Sequence, residues 1–182
     1  MSAEPVEGSI DAPQIAATWE WMCWAVDGIG PPAPGHSHSV TSTPEDRHGP
    51  VRCSALALPP EPRSAHIARD FTRAALVGRT ADERIEDVAV TVSELVSNAL
   101  RYGRIPSVDL ASQSSVWLAV WDRWSCVVCA VTDAGNGIPF VKQADEFAES
   151  GRGLQVVSAL SDAWGWSPRA DRGKVVWAMF LL

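Results

Sequence analysis

The sequence predicts an α+β fold, a two-layer sandwich in which a mixed, mostly antiparallel sheet carries helices on one face. Two helical patterns follow one another before the middle of the chain, and β-like segments then come in close succession. The regular strand–helix alternation of a doubly wound α/β fold is missing. The 182 residues fit one domain with appendages, since 46% are apolar and 20% are charged.

The predicted elements begin at residue 51, where VRCSALAL (51–58) has the composition of a strand and ends at a Pro-Pro pair. A first helix is predicted from Pro62 to about Val77, with Gly78 as its stop. The longest helical pattern covers 81–102, where apolar residues recur three and four positions apart. This spacing predicts a helix with one apolar stripe that faces the core.

The rest of the chain is predicted to be mostly β-structure. Asp122–Arg123 is predicted to be the turn of a hairpin, and a glycine-rich loop follows at 133–139. The predicted elements are β-like segments at 107–112, 115–121 and 124–133, a helix at 151–160, and strands at 162–169 and 174–182.

Residues 1–50 differ from the rest in composition. They carry seven carboxylates and one arginine, so they account for −6 of the chain's net charge of −7. The stretch 28–50 is rich in Pro, Gly, Ser and His, and we expect a flexible linker there. Before it, IAATWEWMCWAV (15–26) holds three tryptophans, which fit either a short helix resting on the domain or a docking peptide for a partner. We therefore divide the chain into an N-terminal segment, 1–50, and a folded domain, 51–182.

Several classes of protein and site are disfavoured by the sequence. The acidic balance argues against a nucleic-acid partner. No apolar run approaches the roughly 18–20 residues of a membrane span, and the acidic start is unlike a signal peptide, so we expect a cytoplasmic protein. Cys126 and Cys129 lack a second ligand pair at zinc-site spacing, so buried, reduced thiols are expected.

Two polar residues stand out in the long helix. Glu94 and Asn98 are four positions apart, so their side chains project within about 40° of each other, away from the apolar stripe. Asn is unfavourable inside a helix, but it gains a purpose if its amide oxygen coordinates a hard cation. The alternative is an ordinary solvated helix face.

A second motif, VTDAGNGIPF, covers 131–140. Asp133 ends a predicted strand, and Gly135 and Gly137 allow the backbone to turn tightly and to approach a ligand. A carboxylate here can accept a hydrogen bond from an exocyclic amine such as that of adenine. The alternative is a surface turn.

A third motif, SGRGLQVV, covers 150–157 and opens an apolar helix. Free N–H groups at a helix start form an anion site, and Arg152, between Gly151 and Gly153, adds a positive charge. The alternative is a plain glycine-rich helix entry.

Taken together, the three motifs resemble the Bergerat ATP-binding fold shared by gyrase, Hsp90, histidine kinases and MutL. Within that superfamily, called GHKL, the sequence is most similar to bacterial anti-sigma-factor serine/threonine kinases. SELVSNALRYG resembles their N box, VTDAGNGIP their first glycine box and GRGL their second. RSAHIARDFTRAAL resembles their first helix and GKVVWAMF their last strand, so the resemblance covers roughly 51–182.

The resemblance implies a role for each motif residue. Asn98 would coordinate Mg²⁺ that bridges the ATP phosphates, Glu94 would be the base that polarises the attacking hydroxyl, and Asp133 would bind the adenine amine. The other implied nucleotide contacts are the floor of the site, Gly135 and Gly137, and the phosphate side, Gly151, Arg152 and Gly153. One position departs from the family, which often has a Thr near adenine where this chain has Val175, so weaker nucleotide affinity is expected.

The function implied by the resemblance is that of an ATP- and Mg²⁺-dependent kinase. It would phosphorylate an anti-anti-sigma protein on Ser or Thr and sequester a sigma factor. A homodimer fits this reading, since dimers are usual among similar proteins. The alternative is a non-catalytic module in which ATP only switches partner binding. A third reading is a structural domain that has lost the nucleotide.

Overall fold

The computed structural model describes residues 37–42, 51–103, 116–123, 125–135, 137–139, 152–169 and 173–182. The chain divides into two compact units, Met1–Pro31 and Pro32–Leu182, and the described residues all belong to the second. The predicted Trp-rich helix and the β-like segment at 107–112 lie outside the described residues.

The described residues form one antiparallel sheet and three helices, which confirms the predicted α+β fold. The strands lie side by side in the order β1-β2-β3-β4-β6-β5, and each of the five described pairings is antiparallel. The elements in chain order are β1 (Ser37–Ser42), β2 (Val51–Leu58), α1 (Ser64–Leu76), α2 (Asp82–Tyr102), β3 (Val116–Arg123), β4 (Cys126–Asp133), α3 (Gly153–Leu160), β5 (Ala163–Pro168) and β6 (Lys174–Leu181).

Strand β1 corrects the prediction of a flexible linker over 28–50. Ser37–Ser42 pairs with β2 along its whole length, with Val40 opposite Cys53. The stretch SHSVTS has no apolar periodicity, so a search for buried faces misses it. Backbone pairing to a neighbouring strand supplies the order instead, and Val and Thr favour extended backbone. The sheet therefore includes residues on the N-terminal side of the predicted boundary at residue 50.

The hairpin between β3 and β4 is confirmed, but its predicted turn is wrong by two residues. Strand β3 continues through Asp122 and Arg123, and Arg123 lies opposite Cys126. Asp is a residue type that favours turns, but the side chain of Asp122 is buried and accepts a hydrogen bond from Arg79 Nε at 2.5 Å. A partner distant in sequence therefore keeps this carboxylate inside the strand.

The core lies between one face of the sheet and the helices. Helix α2 is amphipathic, and its predicted apolar stripe is confirmed because the stripe residues are all buried: Ile85, Val88, Val92, Leu95, Val96 and Ala99. The predicted stop of the first helix is also confirmed, since α1 ends at Leu76 and Gly78 has φ of 70°. None of the helices in the described ranges combines the length and the apolar character that crossing a bilayer requires.

Three of the four cysteines are buried inside this sheet. Cys53, Cys126 and Cys129 form no disulfide with another described residue, as predicted. Burial raises the pKa of Cys53 and of Cys129 to about 12 in each case. Both thiols therefore stay protonated and unreactive near neutral pH.

The contact between α1 and α2 includes an ion-pair cluster around Glu86. Arg73 Nε donates to Glu86 Oε1 at 2.6 Å, and Arg69 Nη2 donates to Glu86 Oε2 at 3.1 Å. Hydrogen bonds from Arg73 and then Arg69 lower the pKa of Glu86 from 4.5 to about 2. A carboxylate with a lowered pKa stabilises the folded state above its unfolded pKa, and that contribution is lost as the pH falls towards the folded value.

We expect Glu86→Gln to be less stable than wild type at pH 7, and the difference to shrink as the pH falls from about 4.5 to about 2. Urea unfolding across this pH range measures the difference in the free energy of unfolding between wild type and the variant. Glu83→Gln on the same helix is the matched control, because Glu83 is exposed and forms no ion pair with another described residue. A difference that stays constant down to pH 2 would contradict the role of the Glu86 charge.

Candidate functional site

A cavity of about 280 Å³ lies where the C-terminal half of α2 meets the end of β4, the start of β6 and the start of α3. Its wall combines apolar side chains with three polar ones, Asn98, Asp133 and Lys174. This composition is typical of a small-molecule site. The other lining residues are Leu95, Ala99, Tyr102, Val131, Gly137, Ile138, Pro139, Leu154 and Val176.

Glu94 and Asn98 lie together on the side of α2 that meets α3. A Cβ atom built at Gly153 would lie 2.8 Å from Glu94 Oε2 and 3.0 Å from Asn98 Nδ2. The first residue of α3 thus lies against both predicted site residues, and a side chain there would have to displace the ends of Glu94 and Asn98. Both side chains are half-buried, which disfavours the alternative of an ordinary solvated helix face.

The amide nitrogen of Asn98 lacks a hydrogen-bond partner in the described part of the chain. Its Nδ2 atom is buried and makes no hydrogen bond there. A buried polar atom without a partner costs about 1–3 kcal/mol, so such atoms are rare unless a ligand or water satisfies them. Asn98 also lines the cavity. Its position therefore indicates a polar ligand next to the start of α3.

Asp133 also lines the cavity, at the end of β4, and it belongs to a polar cluster. Its Oδ1 atom accepts hydrogen bonds from the Gly135 N–H at 2.7 Å and from Lys174 Nζ at 2.9 Å. Lys174 Nζ also donates to the Gly135 carbonyl oxygen at 3.0 Å. The side chains are only 3% exposed for Asp133 and 7% for Lys174, so little solvent screens this ion pair.

Lys174 and Gly173 are site residues that the sequence reasoning missed. Asp133 and Lys174 are register partners in β4 and β6. Gly173 has φ of 81°, and a Cβ atom there would lie 1.9 Å from the Asp133 carbonyl oxygen. The sequence feature that could have identified them is the Gly-Lys pair at the start of the last strand. However, only the strand register shows that this pair lies against Asp133.

The remaining predicted site residues are placed as follows. Gly137 lines the cavity, and Arg152 is exposed immediately before α3. Gly151 lies outside the described residues. Val175 is buried but is not among the lining residues, whereas Lys174 and Val176 on either side of it are. Strand alternation therefore points the Val175 side chain to the other face of the sheet.

The start of α3 also has the character of an anion site. The helix begins at Gly153, and Arg152 provides no side-chain cap hydrogen bond. The first N–H groups of a helix have no partner within it, and they carry the positive end of the helix dipole. They lie next to Glu94 and Asn98 through the Gly153 contact.

The oxygen atoms at this end of the cavity fit a magnesium ion that is shared with a phosphate ligand. Mg²⁺ is usually held by one or two protein oxygens together with substrate phosphates and water. The described residues contain no group of three or more His, Cys, Asp or Glu side chains that could hold a metal alone. The amide oxygen of Asn98 suits the shared arrangement, in which phosphate oxygens and water would complete the ligand set.

Comparison with known proteins identifies a family and a similar solved structure. A family model described as a histidine kinase-like ATPase domain matches residues 58–180. No curated protein sequence matches the chain. A similar solved chain comprises the RsbU and RsbW domains of Rv1364c from Mycobacterium tuberculosis, with a TM-score of 0.52 and 20% identity. The match covers 71% of this chain and 32% of that one, so this chain spans about a third of its length.

Proposed function

The chain belongs to the family of histidine kinase-like ATPase domains, and on that basis we propose that it is an ATP-dependent protein serine/threonine kinase. Its substrate is an anti-anti-sigma protein, phosphorylated on Ser or Thr, and it sequesters a sigma factor. One observation carries the proposal: Glu94 and the unpartnered amide of Asn98 lie together at the start of α3, next to the cavity.

The polar groups suit the two ends of ATP. Asp133 offers a carboxylate oxygen to the adenine amine, and the start of α3 offers N–H groups to the phosphates. Asn98 would hold Mg²⁺ through its amide oxygen, and the ion would neutralise charge on the phosphates when bound. Gly153 allows this because its missing side chain leaves the space beside Glu94 and Asn98 open.

Glu94 is the residue proposed to move a proton. Its carboxylate accepts the proton of the substrate hydroxyl as that oxygen forms a bond to the γ-phosphorus. The bond between the γ-phosphorus and the bridging oxygen breaks, and ADP leaves with that oxygen. General-base assistance of this kind contributes about 10²–10⁴-fold to a rate. Positioning and charge neutralisation supply most of the rest.

The regulatory part of the proposal is supported by the motif order and by the similarity to the anti-sigma kinases. SELVSNALRYG, VTDAGNGIP and GRGL occur in the order of those kinases, along a chain with a net charge of −7. The similar solved chain combines domains named RsbU and RsbW. The proposed partners are therefore a sigma factor and an anti-anti-sigma protein, with a homodimer as the assembly and the cytoplasm as the compartment.

Asn98→Ala tests the nucleotide site. We expect Mg-ATP affinity to fall about 10–100-fold, because the variant loses the amide oxygen proposed to bind the metal. Binding of ATP in excess EDTA should change much less. Titration calorimetry of the full chain measures both affinities.

Ser97→Ala is the matched control, since Ser97 precedes Asn98 on α2 and does not line the cavity. It should bind Mg-ATP like wild type. Equal Mg-ATP affinity in wild type and Asn98→Ala would contradict the metal site, and a wild type that binds no Mg-ATP would contradict the proposed function.

A further inference from the structure

The polar cluster around Asp133 contains a cation that the proposed roles leave unexplained. Lys174 Nζ lies 2.9 Å from Asp133 Oδ1 and 3.0 Å from the Gly135 carbonyl oxygen, and both charged side chains line the cavity. A lysine is costly to bury, and it loses side-chain conformational entropy when it is fixed. Packing alone does not require a charged residue here, so a role in the site is the better explanation.

We propose that Lys174 is a positioning residue that makes Asp133 select a purine with a 6-amino group over one with a 6-oxo group. The inference rests on the proposed binding of a nucleotide in this cavity and deepens it. Lys174 acts through Asp133, by fixing which carboxylate oxygen is free and by keeping that carboxylate an acceptor.

The hydrogen bonds determine which oxygen is free. Oδ1 of Asp133 accepts from both the Gly135 N–H, at 2.7 Å, and Lys174 Nζ. Oδ2 accepts no hydrogen bond from any other described residue. Two donors on one oxygen fix the plane of the carboxylate, so Oδ2 is the oxygen left for a ligand in the cavity.

The charge of Lys174 determines whether Oδ2 of Asp133 acts only as a hydrogen-bond acceptor. An ionised carboxylate only accepts hydrogen bonds, whereas a protonated one also donates. A buried carboxylate needs a compensating charge to stay ionised, and the ammonium group supplies it. Without Lys174 the buried carboxylate loses this compensating charge together with one of the two donors that hold Oδ1 in place.

A fixed, acceptor-only oxygen discriminates strongly between purines. The 6-amino group of adenine donates to it, while a 6-oxo group places its own lone pairs against it. Sites built around one buried hydrogen bond reject the mismatched ligand by large factors, because the buried group is left unpaired.

The test compares ATP with inosine triphosphate, which carries an oxo group in place of the 6-amino group. Titration calorimetry of the full chain with Mg²⁺ gives the ratio of the two affinities. We expect wild type to prefer ATP about 100-fold, and Lys174→Met to reduce that ratio about tenfold or more. Lys174→Arg keeps the charge and should retain most of the preference, even if both affinities fall.

Arg79→Met is the control, because it removes the cation that pairs with another buried carboxylate of the domain, Asp122. Arg79 Nε lies 2.5 Å from Asp122 Oδ2, and neither residue lines the cavity. The ATP preference of this variant should equal that of wild type, whatever its stability. A purely structural role for Lys174 predicts that both affinities fall together with an unchanged ratio.

An unchanged ratio in Lys174→Met, with ATP still bound, overturns the inference and leaves the proposed function standing. If Lys174→Met does not fold, Lys174→Gln decides in the same way, since glutamine keeps a donor but lacks the charge. A wild type that binds ATP and inosine triphosphate equally also overturns it. A wild type that binds neither overturns the proposed function as well.

Discussion

Replacing Glu94 with Gln is expected to slow phosphate transfer about a thousandfold while Mg-ATP affinity changes by less than about threefold. Gln keeps the shape and length of Glu, so the contact with Gly153 is preserved. It cannot accept the proton of the attacking hydroxyl. The loss therefore falls on the chemical step and not on nucleotide binding.

Phosphate transfer from γ-labelled ATP to a purified candidate anti-anti-sigma protein, with ADP release as a second readout, measures this effect. Glu83→Gln makes the same chemical change on the exposed first turn of α2, and it should transfer phosphate at the wild-type rate. A wild type that binds Mg-ATP but yields neither phosphoprotein nor ADP would favour the non-catalytic module. Equal transfer rates in Glu94→Gln and wild type would remove Glu94 from the mechanism.

Replacing Gly173 with Ala is expected to destabilise the fold by about 3 kcal/mol, which is a large part of the stability of a typical domain. Two effects add up. The backbone at Gly173 has φ of 81°, which disfavours any side chain, and the new Cβ would lie 1.9 Å from the Asp133 carbonyl oxygen. That oxygen belongs to the central strand β4, which has little freedom to move.

Thermal unfolding of the full chain should show a melting temperature about 6–12 °C lower for Gly173→Ala. Gly137→Ala is the control, because a Cβ there meets none of the described atoms within 4 Å and its φ is not positive. Its melting temperature should stay within about 1 °C of wild type. Similar melting temperatures for the two variants would contradict the tight packing at Gly173.

The sequence predicted well those parts of the fold that depend on local patterns. The stripe in α2 was readable because apolar residues three and four apart must share one face. Strand β1 was not readable, since SHSVTS gains its order from pairing with β2 and carries no pattern of its own. The turn after Arg123 was misplaced because the partner of Asp122, Arg79, is 43 residues away in sequence.

The same distinction holds for the candidate site. Glu94 and Asn98 were found because one helix places residues four apart side by side. Asp133 was found because it precedes two glycines. Lys174 was missed, since its contact with Asp133 depends on the register between β4 and β6, across 41 residues. Strand register is set by the whole sheet, and it was not readable from either segment alone.

The pairing of Asp133 with Lys174 also affects how the site can diversify. The segment between these two residues includes α3 and β5. Both of its ends are fixed in the central sheet, because Asp133 and Lys174 are paired there. Lengthening or shortening the connections within it leaves the two anchor positions in register. Related chains can therefore vary the α3 side of the pocket while the corner formed by Asp133 and Lys174 stays unchanged.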